Sequence, residues 1–259
     1  MIEKKVFEEI LSKVKIIKND ETCPICGGLE WIYDREKKYY YRCKCFYEKL
    51  YKNRVQILNI PKKYKNASFS SYKVNNLSQL AFLEILKEYA LIYPFFPFVV
   101  RENWVYEKYI LYIYGKTGVG KTYLSIAFLN YLLKEKGISG YFISFREFVE
   151  ELKNRLLDKD EFKAYFQNIK TKSILVLDDV GAERDTEFVR NVLFEILDYR
   201  YNNKLLTLIT TNLSPRALIE RLSSYNNPSE DTSLGDRLYS RLCEAGEFIY
   251  VEGKDERKL

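Results

Sequence analysis

Histidine is absent from all 259 residues, and that single absence removes whole classes of chemistry. A Ser-His-Asp triad cannot be built, nor can a metal centre that rests on imidazole ligands. No apolar run approaches the roughly 18 to 20 residues that a membrane-spanning helix needs. The opening stretch, MIEKKVFEEILSKVKII, is charged throughout and predicts an amphipathic helix over residues 2–17 in place of a signal peptide. These features predict a cytoplasmic protein without a membrane partner. Cysteine is scarce too, at five residues.

Apolar residues make up 47% of the chain, enough to build a large core and to exclude wholesale disorder. The net charge of +6 is unevenly placed. Residues 1–66 hold 16 Lys and Arg against 9 Asp and Glu, whereas the remainder holds 26 against 27. All the basic excess therefore lies in the first quarter, where it fits either an anionic partner or a solvated lysine-rich face.

Pro61 breaks any helix in NIPKKYKNASF, and a module boundary is expected between 55 and 66. The division predicted is residues 1–60, an N-terminal helix with a cysteine-bearing segment, and residues 61–259. LSQLAFLEILKEYALIY (77–93) has helical spacing. SSYNNPSEDTS (223–233) predicts a mobile loop. From residue 109 onward strands and helices alternate. YILYIY (109–114), GYFIS (140–144), SILVLDD (173–179), LLTLITTN (205–212) and EFIYVE (247–252) read as strands. Helices are expected after 122, from Phe145 and across 187–203. The fold class is α/β, with a five-stranded parallel sheet covered by helices.

GKTGVGKT joins the first of these strands to its helix and matches the G-x4-G-K-T phosphate-binding pattern. Its residues are Gly115, Lys116, Thr117, Gly118, Val119, Gly120, Lys121 and Thr122. The glycines let backbone amides turn toward phosphate oxygens, and the helix N-terminus adds its positive end. Lys121 can reach the β- and γ-phosphates of ATP. Thr122 and Asp178, at the end of ILVLDD, can hold Mg²⁺. Asp179 is the candidate to orient the attacking water, and Asn212 ends the next strand as a second water-positioning group.

LGDRLYSRL (234–242) places Arg237 and Arg241 on one face of a predicted helix. Alone they fit a solvated surface. Beside a phosphate site they can supply positive charge opposite the γ-phosphate. The P-loop, LVLDDVGAE, TLITTNLSP and GDRLYSRL, in that order, resemble an AAA+ ATPase of the DnaC/DnaI helicase-loader group, with IstB-type transposition helpers as relatives. The resemblance covers residues 60 to 252. It implies that the strand before Asn212 lies between the P-loop strand and the strand before Asp178. It also implies that Asn212 is a sensor residue and that Arg241 is an arginine finger; with no lid expected to carry an arginine in cis, Arg241 is assigned to a neighbour's nucleotide, with Arg237 as support or a second contact. Asp178-Asp179 departs from the Asp-Glu of many AAA+ enzymes. With seventeen residues after Leu242 in this sequence, no C-terminal lid is expected.

Cys23, Cys26, Cys43 and Cys45 are spaced C-x2-C-x16-C-x-C, a pattern able to close a tetrahedral Zn²⁺ site. Cys243 has no such neighbour and reads as packing. Trp31, Tyr33, Tyr39, Tyr40 and Tyr41 interleave with Lys37, Lys38, Arg42 and Lys44. This fits base stacking or protein docking, and equally a two-stranded ribbon packed on the metal. The resemblance implies a module that docks a DnaB-type replicative helicase, single-stranded DNA as a second partner, and homo-oligomers joined through ATP interfaces. The alternatives are an IstB-type transposition helper, a small-molecule kinase, or a non-hydrolysing adaptor switched by ATP.

Overall fold

The computed structural model describes residues 23–101, 104–223 and 234–255. The helix expected over 2–17 and nearly all of the loop expected over 223–233 lie outside the described residues. The cysteine-bearing segment begins with an antiparallel ribbon, β1 (Trp31–Asp34) and β2 (Tyr39–Arg42), paired Trp31 to Arg42 and Asp34 to Tyr39. Trp31, Tyr33, Tyr39, Tyr40, Tyr41 and Arg42 therefore sit on a two-stranded ribbon, whereas Lys37 and Lys38 lie in its turn and Lys44 opens the next helix. Helix α1 (Lys44–Arg54) follows, and then two short 3-10 turns carry the chain past Pro61.

The larger part is a parallel sheet of β5 (Ile110–Tyr114), β6 (Tyr141–Ser144), β7 (Ile174–Val180), β8 (Leu206–Thr211) and β9 (Gly246–Tyr250). Its order is β6-β7-β8-β5-β9. β8 thus lies between β5 and β7, as the resemblance implied. A separate hairpin joins β3 (Phe98–Arg101) to β4 (Trp104–Glu107).

Strand residues alternate between the two faces of the sheet, as the period of two requires. Leu111, Ile113, Val176 and Leu208 face a cluster that holds Phe82 and Leu86 of α2 (Leu77–Ile92) and Leu129 and Leu133 of α3 (Lys121–Lys136). Ile110, Tyr112, Leu175, Leu177 and Ile209 face the other way. That side is covered by α4 (Phe145–Asn154), α5 (Lys159–Lys170), α6 (Glu187–Asn202), α7 (Pro215–Ser223) and α8 (Leu234–Ala245). Helix starts are capped where the sequence offers a short polar side chain. Asn76 accepts from the Gln79 amide at 2.9 Å, and Asp158 accepts from Glu161 at 3.0 Å. Gly137 stops α3 in the left-handed conformation, φ 69°.

Arg200 is fully buried near the end of α6, with no carboxylate partner among the described residues. Its guanidinium donates to Thr207 Oγ1 at 2.7 Å and to the carbonyls of Lys170, Lys172 and Leu206 at 3.0, 2.6 and 2.6 Å. These bonds tie the start of β8 to the turn before β7. The base of the two strands that carry the site is thereby fixed. Helix α1, inside the 1–60 segment, packs on α3, and Tyr51 Oη donates to Asn130 Oδ1 at 3.3 Å.

Candidate functional site

The C-terminal ends of β5, β7 and β8 meet at one edge of the sheet, the usual ligand-binding edge of such folds. β5 runs into the glycine-rich turn and then α3, so the turn's amides and the helix N-terminus point into the same space. Gly120, at φ 95°, caps α3, and a Cβ on it would lie 2.6 Å from the Tyr72 ring. A side chain there would meet both a strained backbone and a packed ring.

Lys121 is buried at the first position of α3. Its ammonium donates to the carbonyls of Gly115 and Lys116 at 2.7 and 2.8 Å, and to Asn212 Oδ1 at 2.9 Å. The lysine and the strand-end asparagine expected on the γ-phosphate are thus already in contact. Thr122 Oγ1 donates to Asp178 Oδ1 at 2.7 Å. Burial pushes the Asp178 carboxyl above its usual range, and nearby Asp179 adds to this. The Thr210 and Thr122 hydrogen bonds and the charge of Lys121 act the other way. A carboxylate held this way gains from a cation.

β7 breaks register with β8 between Leu177 and Val180, so Asp178 and Asp179 sit on a bulge. Asp179 is exposed, with φ 57°, a left-handed conformation that Asp tolerates better than most side chains. Thr210 was not singled out from the sequence, yet its hydroxyl touches both aspartates. Thr207, Thr210 and Thr211 all lie on β8, so the sequence does not mark this threonine out from the other two.

These groups line a cavity of about 560 Å³, within the range of small-ligand sites. Tyr72, Lys63, Lys73 and Glu147 line it too and were missed. They come from the segment after Pro61 and from α4, which sequence spacing alone does not bring to the P-loop. Tyr72 Oη donates to the Val119 carbonyl at 3.0 Å, and its ring stacks on Tyr123 at 5.9 Å.

Neither Arg237 nor Arg241 lines this cavity. Arg237 is exposed. Arg241 forms an ion pair with Asp198 of α6, and its guanidinium lies 5.4 Å from the Phe194 ring and 5.5 Å from that of Tyr201. It lies one turn before Ala245, whose carbonyl accepts from the Tyr109 amide just below β5. Arg241 is therefore near the end of the sheet opposite the P-loop.

The four cysteines expected to bind metal converge. Cys23 Sγ lies 3.8 Å from Cys43 Sγ, and Cys26 Sγ lies 3.4 Å from Cys45 Sγ. All four sulfurs fall within 4.8 Å of one another and none is in a disulfide. Zinc–thiolate bonds of about 2.3 Å in a tetrahedron put the sulfurs about 3.8 Å apart, so the set fits Zn²⁺. Amides of Cys26 and Ile25 pull the Cys23 thiol down to about 7, whereas burial and the neighbouring thiols push Cys45 up. Arg42 lies over the rings of Trp31 and Phe46, at 3.9 and 4.1 Å, so part of the aromatic set packs within the module. Tyr39 and Tyr41 remain exposed. Cys243 lies outside the cluster.

The family model described as IstB-like ATP binding protein matches residues 100–259. The replicative helicase loader DnaI of Bacillus subtilis (strain 168) is 27% identical over 277 aligned positions, covering 99% of this chain and 86% of that protein. Among solved structures, the crystal structure of the DnaC helicase loader superposes with a TM-score of 0.59 at 29% identity. That match covers 74% of this chain and all of that one. The crystal structure of DnaI gives a TM-score of 0.60 at 25% identity, over 79% of this chain and all of the other. No helix among the described residues is long and apolar enough to cross a membrane.

Proposed function

The chain belongs to the IstB-like ATP-binding proteins, and from that premise we propose that it is an ATP-hydrolysing loader of a DnaB-type replicative helicase. In this reading it engages the helicase and single-stranded DNA at origins or forks, in the cytoplasm. One observation carries it. Similarity to the DnaI loader runs over 99% of the chain and so takes in the cysteine module as well as the ATP-binding core.

The residues take the following roles. ATP phosphates replace the carbonyl and amide oxygens now holding Lys121, and the turn 115–120 cradles them through backbone amides. Thr122 and Asp178 would hold Mg²⁺, which supplies charge neutralisation at the phosphate oxygens. Asp179 orients the attacking water, and Asn212 positions it from the end of β8. Arg241, supported by Arg237, serves the nucleotide of a neighbouring copy, so chains assemble through their ATP sites. Residues 1–60 form the helicase-docking module, with Zn²⁺ on the four thiolates clamping the ribbon, and residues 61–259 form the ATPase domain.

The test mixes the purified full-length chain with a DnaB-type helicase and Mg·ATP, reading complex size by mass photometry and turnover by phosphate release. We expect a defined complex and turnover stimulated by helicase or single-stranded DNA. Cys23→Ser/Cys26→Ser protein should lose the helicase while still binding ATP. No complex, with turnover indifferent to both partners, sinks the proposal. The family match favours one rival, an IstB-type transposition helper. A strong preference for duplex DNA over single strands would support it instead.

A further inference from the structure

The bulge in β7 creates a hydrogen-bonding problem that Thr210 solves. Between Leu177 and Val180 the ladder with β8 is interrupted, so the Asp179 N–H lacks a regular strand partner. The Thr210 hydroxyl accepts that N–H at 2.9 Å. The same hydroxyl gives its single proton to Asp178 Oδ1 at 2.6 Å. Thr122 donates to this same oxygen, which leaves Asp178 Oδ2 for a cation. The next two residues, Thr211 at the end of β8 and Asn212 just past it, hold adjoining groups. Thr211 Oγ1 donates to the Val180 carbonyl at 2.6 Å, and Asn212 accepts from Lys121.

We propose that Thr210 is the positioning residue of the two aspartates, fixing the Asp178 carboxylate for Mg²⁺ and the Asp179 backbone for its water through one buried hydroxyl. A hydroxyl offers one donor and two acceptors, and Thr210 uses its donor and one acceptor on the two residues of the bulge. The side chain is 1% exposed, so water cannot replace it without opening the strand pair. The inference rests on the ATPase reading of the site and assigns a role to a residue outside the P-loop and aspartate motifs.

Thr210→Val keeps shape and removes both bonds, whereas Thr210→Ser keeps both and removes only a methyl group. Affinity for a fluorescent ATP analogue is titrated against Mg²⁺ in the full-length chain, alongside turnover and thermal melting. We expect Thr210→Val to need about tenfold more Mg²⁺ for half-maximal affinity, the loss of one hydrogen bond to a charged acceptor. Its kcat should fall further than its KM rises, and affinity without Mg²⁺ should stay at the wild-type level. Thr210→Ser should recover both the Mg²⁺ dependence and kcat.

Three outcomes would overturn the proposal. One is a Val variant with wild-type Mg²⁺ dependence and kcat. A second is a Ser variant as impaired as Val, which would assign the effect to packing. A third is a Val variant that fails to fold while Ser folds with an impaired Mg²⁺ response. Wild-type protein that binds the analogue with no Mg²⁺ effect would instead refute the reading of the site beneath it.

Discussion

Arg241→Ala separates an arginine that serves its own subunit from one that serves a neighbour. From Tyr109 to Gly115 the chain climbs roughly 20 Å at about 3.3 Å per residue. Arg241 lies one turn before Ala245, which gives back about 6 Å even if α8 ran straight along the strand. Its Cα thus stops about 14 Å short of the P-loop along that axis alone. Loss of its ion pair with Asp198 should cost about 1 kcal/mol or less, because the two side chains are 25% and 28% exposed. The variant should therefore fold, and a single chain should bind ATP within twofold of wild type, roughly, since no contact to the phosphate is removed. Hydrolysis in the assembled state should fall about a thousandfold, the lower range for an arginine acting on phosphoryl transfer. Phosphate release at concentrations above and below assembly measures the second quantity, and equilibrium titration of the dilute chain measures the first. Mixing Arg241→Ala with Lys121→Ala should restore turnover at interfaces that pair an intact P-loop with an intact arginine. Weakened ATP binding by the dilute variant, or no recovery on mixing, would refute the reasoning.

Burial raises the Asp178 carboxyl, so in the free chain its protonated form is favoured below that raised value and its charge is a cost above it. Acidification should therefore weaken Mg²⁺-dependent nucleotide affinity at a higher pH than an exposed carboxylate would. Asp178→Asn should flatten that dependence and, without nucleotide, melt no lower than wild type at neutral pH. For the cysteine cluster, thiol modification in the presence of a colorimetric chelator should release one Zn²⁺ per chain, and Cys26→Ser should abolish the release. Chelation should lower the melting temperature and helicase binding while ATP affinity holds.

The strands and the site at their ends were readable because each rests on local chemistry. Buried parallel strands read as apolar runs, and GKTGVGKT lies between a strand and a helix within a few residues. Helices α1, α5 and α7 and the β3–β4 hairpin escaped. Helix α1 carries only a short half-buried stripe, Phe46, Tyr47, Leu50 and Tyr51, set among charges, with no fully buried residue to mark it. Helix α5 carries an Asp158 cap and a face built on Phe166 and Ile169, signals that were present in the sequence but passed over. The β3–β4 hairpin is a small separate sheet whose pairing lies between segments already claimed by neighbouring elements. Within the site, Thr210, Tyr72 and Glu147 were invisible for another reason. Their roles come from register between β7 and β8 and from packing of distant segments, which spacing along the chain does not encode.

The charges around the cavity argue for what one chain can do alone. Lys121, Lys63 and Lys73 bring positive charge, Asp178, Asp179 and Glu147 bring negative, and no arginine is among the lining residues described. Lys121 is engaged with Asn212 and two carbonyls at the floor, and Thr122 and Asp178 are already joined. On the proposed reading such a pocket is assembled for binding, with Lys121, Thr122 and Asp178 already held in place for phosphate and cation. Phosphoryl transfer also spreads charge over the equatorial oxygens, and it gains most from a further cation that arrives opposite the P-loop. On the proposed reading that cation is Arg241, which the chain holds against Asp198, Phe194 and Tyr201 near the far end of the sheet. If Arg241 serves a neighbour's nucleotide as proposed, separating the nucleotide clamp from the arginine would make binding a property of one chain and fast hydrolysis a property of two. ATP would then hold the proposed assembly together until a neighbour's arginine is correctly seated.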